Sequence, residues 1–109
     1  MKRGDIVTVA LSGDLGKPRP AVIVETDLLA PTRHVIICPG TSHVRDDVEQ
    51  RRVLVEPSAD NGLRVATQFQ VDRVISIRRD KCDVVIGALN ADAVERLNAT
   101  LVQVLGLAD

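Results

Sequence analysis

Short apolar runs rich in β-branched residues, broken by Gly, Pro, Asp and Asn, occupy most of this chain. Valine occurs 17 times and isoleucine seven times, and such side chains pack well on a pleated, half-buried surface. The pattern predicts strands near 6–11, 21–25, 34–38, 52–56, 63–71, 73–77 and 82–88, with loops at 12–19, 26–33, 39–50 and 57–62. Val53 and Val55 alternate with other residue types, as a half-buried strand requires. Asn61-Gly62 is a strong turn signal. The period changes at the C-terminus. Val94, Leu97, Leu101 and Val104/Leu105 recur at three- and four-residue spacing, Asn90 stands at an N-cap position, and Gly106 stands where a helix ends. One amphipathic helix is expected over about 91–105, with its stripe on the sheet.

Strands followed by one terminal helix, without βαβ alternation, indicate an α+β, mainly β fold or a small barrel. At 109 residues, a single domain over 1–109 is expected. Hydrophobic residues make up 45% of the chain and the net charge is −1, which excludes a disordered tail. No run reaches the ~18 apolar residues of a spanning helix, and Met1–Asp5 is not followed by an apolar stretch of signal-peptide type. A cytoplasmic protein without a membrane segment is expected.

Cys38 and Cys82 lack CxxC spacing, and His34 and His43 are isolated, so no metal motif is present and no cofactor is expected. Both cysteines sit among β-branched residues and are expected to be buried, unreactive thiols. Phe69 is the one aromatic residue. The base-stacking platforms of RRM, OB and cold-shock modules are therefore excluded. An RNA-binding version of this chain must grip the backbone and read bases with Arg planes or polar groups.

The stretch Lys17-Pro18-Arg19-Pro20-Ala21-Val22-Ile23-Val24 sets an arginine between two prolines at a strand start. Proline fixes its own φ and pushes the preceding residue toward extended geometry, so Arg19 is held stiffly. A planar, permanently charged guanidinium suits phosphate; taken alone it is also an ordinary surface residue. Thr41-Ser42 follow a Pro39-Gly40 bend, where hydroxyls and backbone N–H groups either bind phosphate oxygens or close an ST-turn. Asp72 falls between Val71 and Val74 in an otherwise apolar strand. A buried acid there needs a partner such as Arg19 or Arg73. Gln68 and Gln70 flank Phe69 and should share a face.

Arg3-Gly4-Asp5-Ile6, then Lys17-x-Arg19-Pro20-x-x-Ile23, then a strand ending Pro39-x-Thr41-Ser42, then Asp72-x-x-x-Ser76-Ile77: in this order the motifs resemble the MazF/PemK (Kid-type) toxins of bacterial toxin–antitoxin pairs, over essentially the whole chain. The resemblance implies an SH3-like small barrel with a C-terminal helix, forming a homodimer. It implies a sequence-specific, metal-independent endoribonuclease that cleaves single-stranded RNA, chiefly mRNA, by attack of the 2′-oxygen to leave a 2′,3′-cyclic phosphate. A cognate antitoxin is implied as partner.

On this resemblance Arg19, Thr41 and Asp72 are the candidate catalytic residues. Arg19 would stabilise phosphate charge, and Asp72 would act as base or as a structural salt bridge. Lys17, Ser42, His43, Gln68 and Gln70 are the candidate RNA-binding residues, with Arg45, Arg51, Arg52, Arg78 and Arg79 as further sources of backbone attraction. The chain departs from the pattern at Val7, where many members carry an aromatic residue. It has only Asp14 in a short first loop, Gln70 where Kid-like members have arginine, and Arg73 where many have glutamine. Two other classes remain open: a CcdB-like gyrase inhibitor, which uses a Trp-containing tail that Leu105–Asp109 lacks, and a non-catalytic SH3-like binding module.

Overall fold

A computed structural model describes residues 1–11 and 17–109. Seven strands precede one helix: β1 Asp5–Val9, β2 Arg19–Ile23, β3 His34–Thr41, β4 Arg52–Val55, β5 Thr67–Gln70, β6 Ile75–Arg78, β7 Cys82–Ala88 and α1 Ala91–Val104. All pairings are antiparallel, in the order β4-β5-β3-β2-β1-β7, with β6 also on β3. The expected loop over 12–19 is described only from Lys17 onward; 12–16, including Asp14, lie outside the described residues.

Strand β3 organises the sheet. One of its edges pairs with β2, while the other takes β6 along His34–Ile37 and then β5 along Gly40–Thr41. The two strands expected at 63–71 and 73–77 thus serve one edge of β3. A 3₁₀ turn, Val71–Arg73, separates them, and the first is shorter than expected.

The barrel does not close. End strands β4 and β7 are unpaired with each other. The β4–β5 connection meets β7 instead, with Ala88 N–H donating to the Asp60 carbonyl at 3.0 Å.

Two-residue alternation divides β1–β3 into two apolar faces. Ile6, Val22 and Cys38 join Phe69, Val71 and Leu97 on one face; Val7, Ala21 and Ile37 form the other with Val9, Ile23 and Val35. The helix covers the first. Leu97 is fully buried, and Val94, Leu101 and Val104 pack against that core, but Leu105, expected in the stripe, is 59% exposed. Asn90 caps the helix by accepting from Ala93 N–H at 2.8 Å. At the other end Gly106, at φ +68°, closes a Schellman motif in which Leu107 N–H donates to the Val102 carbonyl at 2.9 Å.

The Arg3-Gly4-Asp5 opening is a staple of the fold. The Arg3 guanidinium donates to the Val24 carbonyl at 2.9 Å and to Asn98 Oδ1 at 2.7 Å, tying the end of β2 to α1. Gly4 links the strand ends, donating to the Ile23 carbonyl and accepting from Leu89 N–H.

Candidate active site

Three strand ends converge on one cavity of about 840 Å³. Arg19, at the start of β2, and Thr41, at the end of β3, both line it, with Gln70 at the end of β5 and Arg73 in the 3₁₀ turn. Ile75, Ile77 and Leu11 give it an apolar side, and Lys81 adds a further cation. Such convergence follows from the topology: β2 and β5 flank β3 near Thr41, and the break at Val71–Arg73 turns the chain so that the residues on either side of Val71 and Asp72 reach the same space.

Thr41 Oγ1 accepts from His43 N–H at 3.1 Å. The ST-turn is therefore real, and it orients the hydroxyl, whose own proton stays available to donate. Ser42 lines a second cavity, on the far side of an Arg19–Gly40 rim that belongs to both. Lys17 and His43 are exposed near these walls without lining either.

Two sequence expectations are corrected. Asp72 is not buried in a strand. It is exposed on the 3₁₀ turn, and among the described residues it forms no ion pair with Arg19 or Arg73. Its carboxylate is felt at Cys38: burial first, and then that negative charge, push the thiol up to about 12. Cys38 faces the helix side of β3, whereas Pro39 and Thr41 line the cavity. Arg73, next to Asp72 in the chain, lines the cavity, whereas Asp72 itself does not.

Gln68 is also not presented to a ligand. It is 4% exposed. Its Oε1 accepts from Arg45 N–H and from Arg52 Nη1, both at 3.0 Å, and its Nε2 donates to the Arg45 carbonyl at 2.9 Å. This side-chain amide copies a strand's hydrogen bonding and pins the segment that follows Thr41-Ser42.

Most of the other suggested cations are committed elsewhere. Arg45 pairs with Asp47, Arg78 with Asp80 and Arg79 with Glu25, while Arg52 is 9% exposed against Gln68. Arg73 and Lys81, which the sequence did not single out as site residues, take their place at the cavity. Arg73 was visible as a possible partner of Asp72 and as a departure from the glutamine common at that position. Cys38 is buried and Cys82, contrary to expectation, only half-buried; both are free thiols. Among the described residues no cluster of three His, Cys, Asp or Glu side chains could hold a metal, and no helix is long and apolar enough to cross a membrane.

The family model of PemK-like, MazF-like toxins of type II toxin–antitoxin systems matches residues 2–105. The chain belongs to this family. A family relative, the probable endoribonuclease MazF of Mycolicibacterium smegmatis (strain ATCC 700084 / mc(2)155), is 32% identical over 109 residues, covering 99% of both chains. The solved Mycobacterium tuberculosis toxin MazF-mt6 superposes with a TM-score of 0.79 at 24% identity, over 94% of this chain and 96% of that one. A mycobacterial endoribonuclease solved in complex with its cognate antitoxin gives a TM-score of 0.82 at 21% identity, over 100% and 98%. In this chain Gln70 and Arg73 stand in the cavity with Arg19 and Thr41.

Proposed function

We propose that this family member is a metal-independent endoribonuclease, the toxin partner of a cognate antitoxin, acting on single-stranded RNA. The observation that carries the proposal is the sharing of one cavity by the Arg19 guanidinium and the Thr41 hydroxyl. A phosphate held between them has a fixed cation on one side and an oriented O–H donor on another. The RNA's own 2′-hydroxyl gives up its proton to solvent or a base as its oxygen attacks that phosphorus, the P–O5′ bond breaks, and the leaving 5′-oxygen takes up a proton in turn. The products are a 2′,3′-cyclic phosphate and a free 5′-hydroxyl.

Arg19 stabilises charge as it builds on the phosphate, and alignment of the 2′-oxygen supplies the remainder of the acceleration. Arg73 and Lys81 attract the backbone, and Gln70 offers an amide to a base. Asp72, exposed on the 3₁₀ turn beside Arg73 but not lining the cavity, serves as base only where the bound RNA or a second copy brings it to the reacting 2′-oxygen. We place the protein in the cytoplasm, as one toxin domain that forms a homodimer. The edge strand β6, paired among the described residues with β3 alone and carrying Ile75 at 48% exposure, supports such a contact.

The test is purified protein, an RNA oligomer and EDTA. Cleavage is expected to continue in EDTA, and Arg19→Ala is expected to lower kcat by about 10²–10³ with the fold intact. Cleavage abolished by EDTA, or normal cleavage by Arg19→Ala, refutes the mechanism.

A further inference from the structure

The β4–β5 connection is built more firmly than a solvent loop requires. Asn61 is 4% exposed. Its side-chain oxygen accepts from Ser58 N–H and Leu63 N–H, each at 3.0 Å, and its amide donates to the Glu56 carbonyl at 2.8 Å. Gly62 adopts φ +69°, and a Cβ there would lie 2.1 Å from the Ile86 carbonyl oxygen. A Cβ on Gly87 would come within 2.4 Å of the Asn61 backbone. The turn is thus locked backbone to backbone onto β7. Beyond it the chain presents Arg64, which is exposed and has no hydrogen bond or ion pair among the described residues, and Val65, which is 55% exposed. Both line the second cavity, of about 520 Å³, together with Ser42 and Pro20.

We infer that this second cavity is a nucleotide subsite that adjoins the reacting phosphate and sets sequence preference. The inference rests on the endoribonuclease reading of the first cavity. Arg19 and Gly40 line both cavities, and the neighbouring residues Thr41 and Ser42 face one each. A strand whose phosphate sits against Arg19 therefore passes over a shared rim into the second space. There Arg64 meets the next phosphate, and the base lies against Val65 and Pro20 with the Ser42 hydroxyl at its edge. Phe69 is fully buried, so the chain offers no aromatic platform for a base. A rigid apolar wall beside a guanidinium is the substitute it does possess. An acidic, apolar peptide would meet similar chemistry, but the rim shared with the Arg19 cavity favours one continuous RNA strand.

The experiment uses one cleavable RNA, shortened by a nucleotide at a time from either end, against wild type, Arg64→Gln and Val65→Asp. Both substituted positions are exposed, and Val65→Asp probes the same wall by repelling phosphate. Wild-type kcat/KM is expected to fall about tenfold at the step that removes the nucleotide filling the second cavity, the size of one lost charged contact. Both variants are expected to cut the full RNA about tenfold more slowly and the shortened RNA at the wild-type rate. Equal losses on long and short RNAs, or none on either, overturn the subsite. So does a variant that cleaves normally and loses only its hold on a cognate antitoxin peptide. A wild-type protein that cuts none of these RNAs instead refutes the endoribonuclease reading, and the subsite with it.

Discussion

The two faces of the β1–β3 sheet are made from the same kinds of residue and end in opposite ways. On one face Ile6, Val22 and Cys38 run into Phe69 and Leu97 and are sealed by the helix. On the other, Val7, Ala21 and Ile37 form an equally apolar layer, and beyond it the strand ends open into a cavity carrying Arg19, Thr41 and Arg73. Alternation alone creates both layers. What separates them is where the strands stop having neighbours. Both layers are buried; beside the second, charged side chains at the strand ends line a cavity where they can face water without burial cost.

Truncating the sealed face tests that division most severely. Phe69 is fully buried, and two of its ring carbons lie close to the position a Cβ on Gly40 would take. Phe69→Ala is expected to cost about 3–5 kcal/mol in urea denaturation, a large fraction of what a domain of this size holds. Leu97→Ala, at the helix side of the same core, should fall in the range of about 2–5 kcal/mol. Loss of RNA cleavage in proportion to the folded fraction would support the division. A loss of kcat in the folded molecules would break it.

The same face should also weaken in alkali. The Cys38 thiol is held near 12 when folded, first by burial and then by Asp72, against about 8.5 in an unfolded chain. The native state therefore binds this proton more tightly. Its contribution is fully present below the unfolded value and is lost as pH rises through about 9 to 12, by on the order of a few kcal/mol. Cys38→Ala should flatten that limb of the stability–pH curve. Cys82 is half-buried, and Arg79 partly opposes the upward push of its burial, so alkylation of the native protein should mark Cys82 well before Cys38.

Gln68 bridges the two regimes. From β5 it reaches the 42–48 segment, and its amide is matched donor for acceptor to Arg45 and Arg52. Gln68→Leu removes all three bonds and leaves Arg52, whose Nε is already buried without a hydrogen-bond partner, more poorly served. A loss of about 1–3 kcal/mol is expected, together with faster hydrogen exchange at Arg45 N–H. Gln68→Glu restores acceptance from both partners but not donation to the Arg45 carbonyl, and should recover part of the loss.

These contrasts show what the sequence could carry. Strand positions, the helix with its Asn90 cap, and the meeting of Arg19 with Thr41 were legible, because period, capping and proline geometry are local. The burial of Gln68 and the exposure of Asp72 were misread for different reasons. Alternation places Gln68 on a face with Gln70 but cannot show that Arg45 and Arg52 cover it, and pattern alone does not reveal that the strand breaks into a 3₁₀ turn at Val71–Arg73. The RGD opening was a family mark whose physical role, joining β2 to the helix, needed the fold to become visible. The place of Arg64 at the second cavity was hidden, because it depends on the turn around Asn61 meeting β7, a contact between distant segments.

Asp72 is therefore the residue that sharpens the comparison most finely, although its expected effect is the smallest. If the sheet's faces divide the work as described, its carboxylate belongs electrostatically to the sealed side, where it acts on Cys38. Asp72→Asn should then leave cleavage within about tenfold of wild type, far short of the 10²–10³ that a directly participating group supplies. It should also let the Cys38 thiol titrate at lower pH, since one of the two influences holding it up is gone. Both results together place Asp72 behind β3. A loss of cleavage near a thousandfold with an unchanged thiol titration would mean that, in the assembled protein, a second copy brings the carboxylate to the open face, and that the cavity of one protomer is only part of the site.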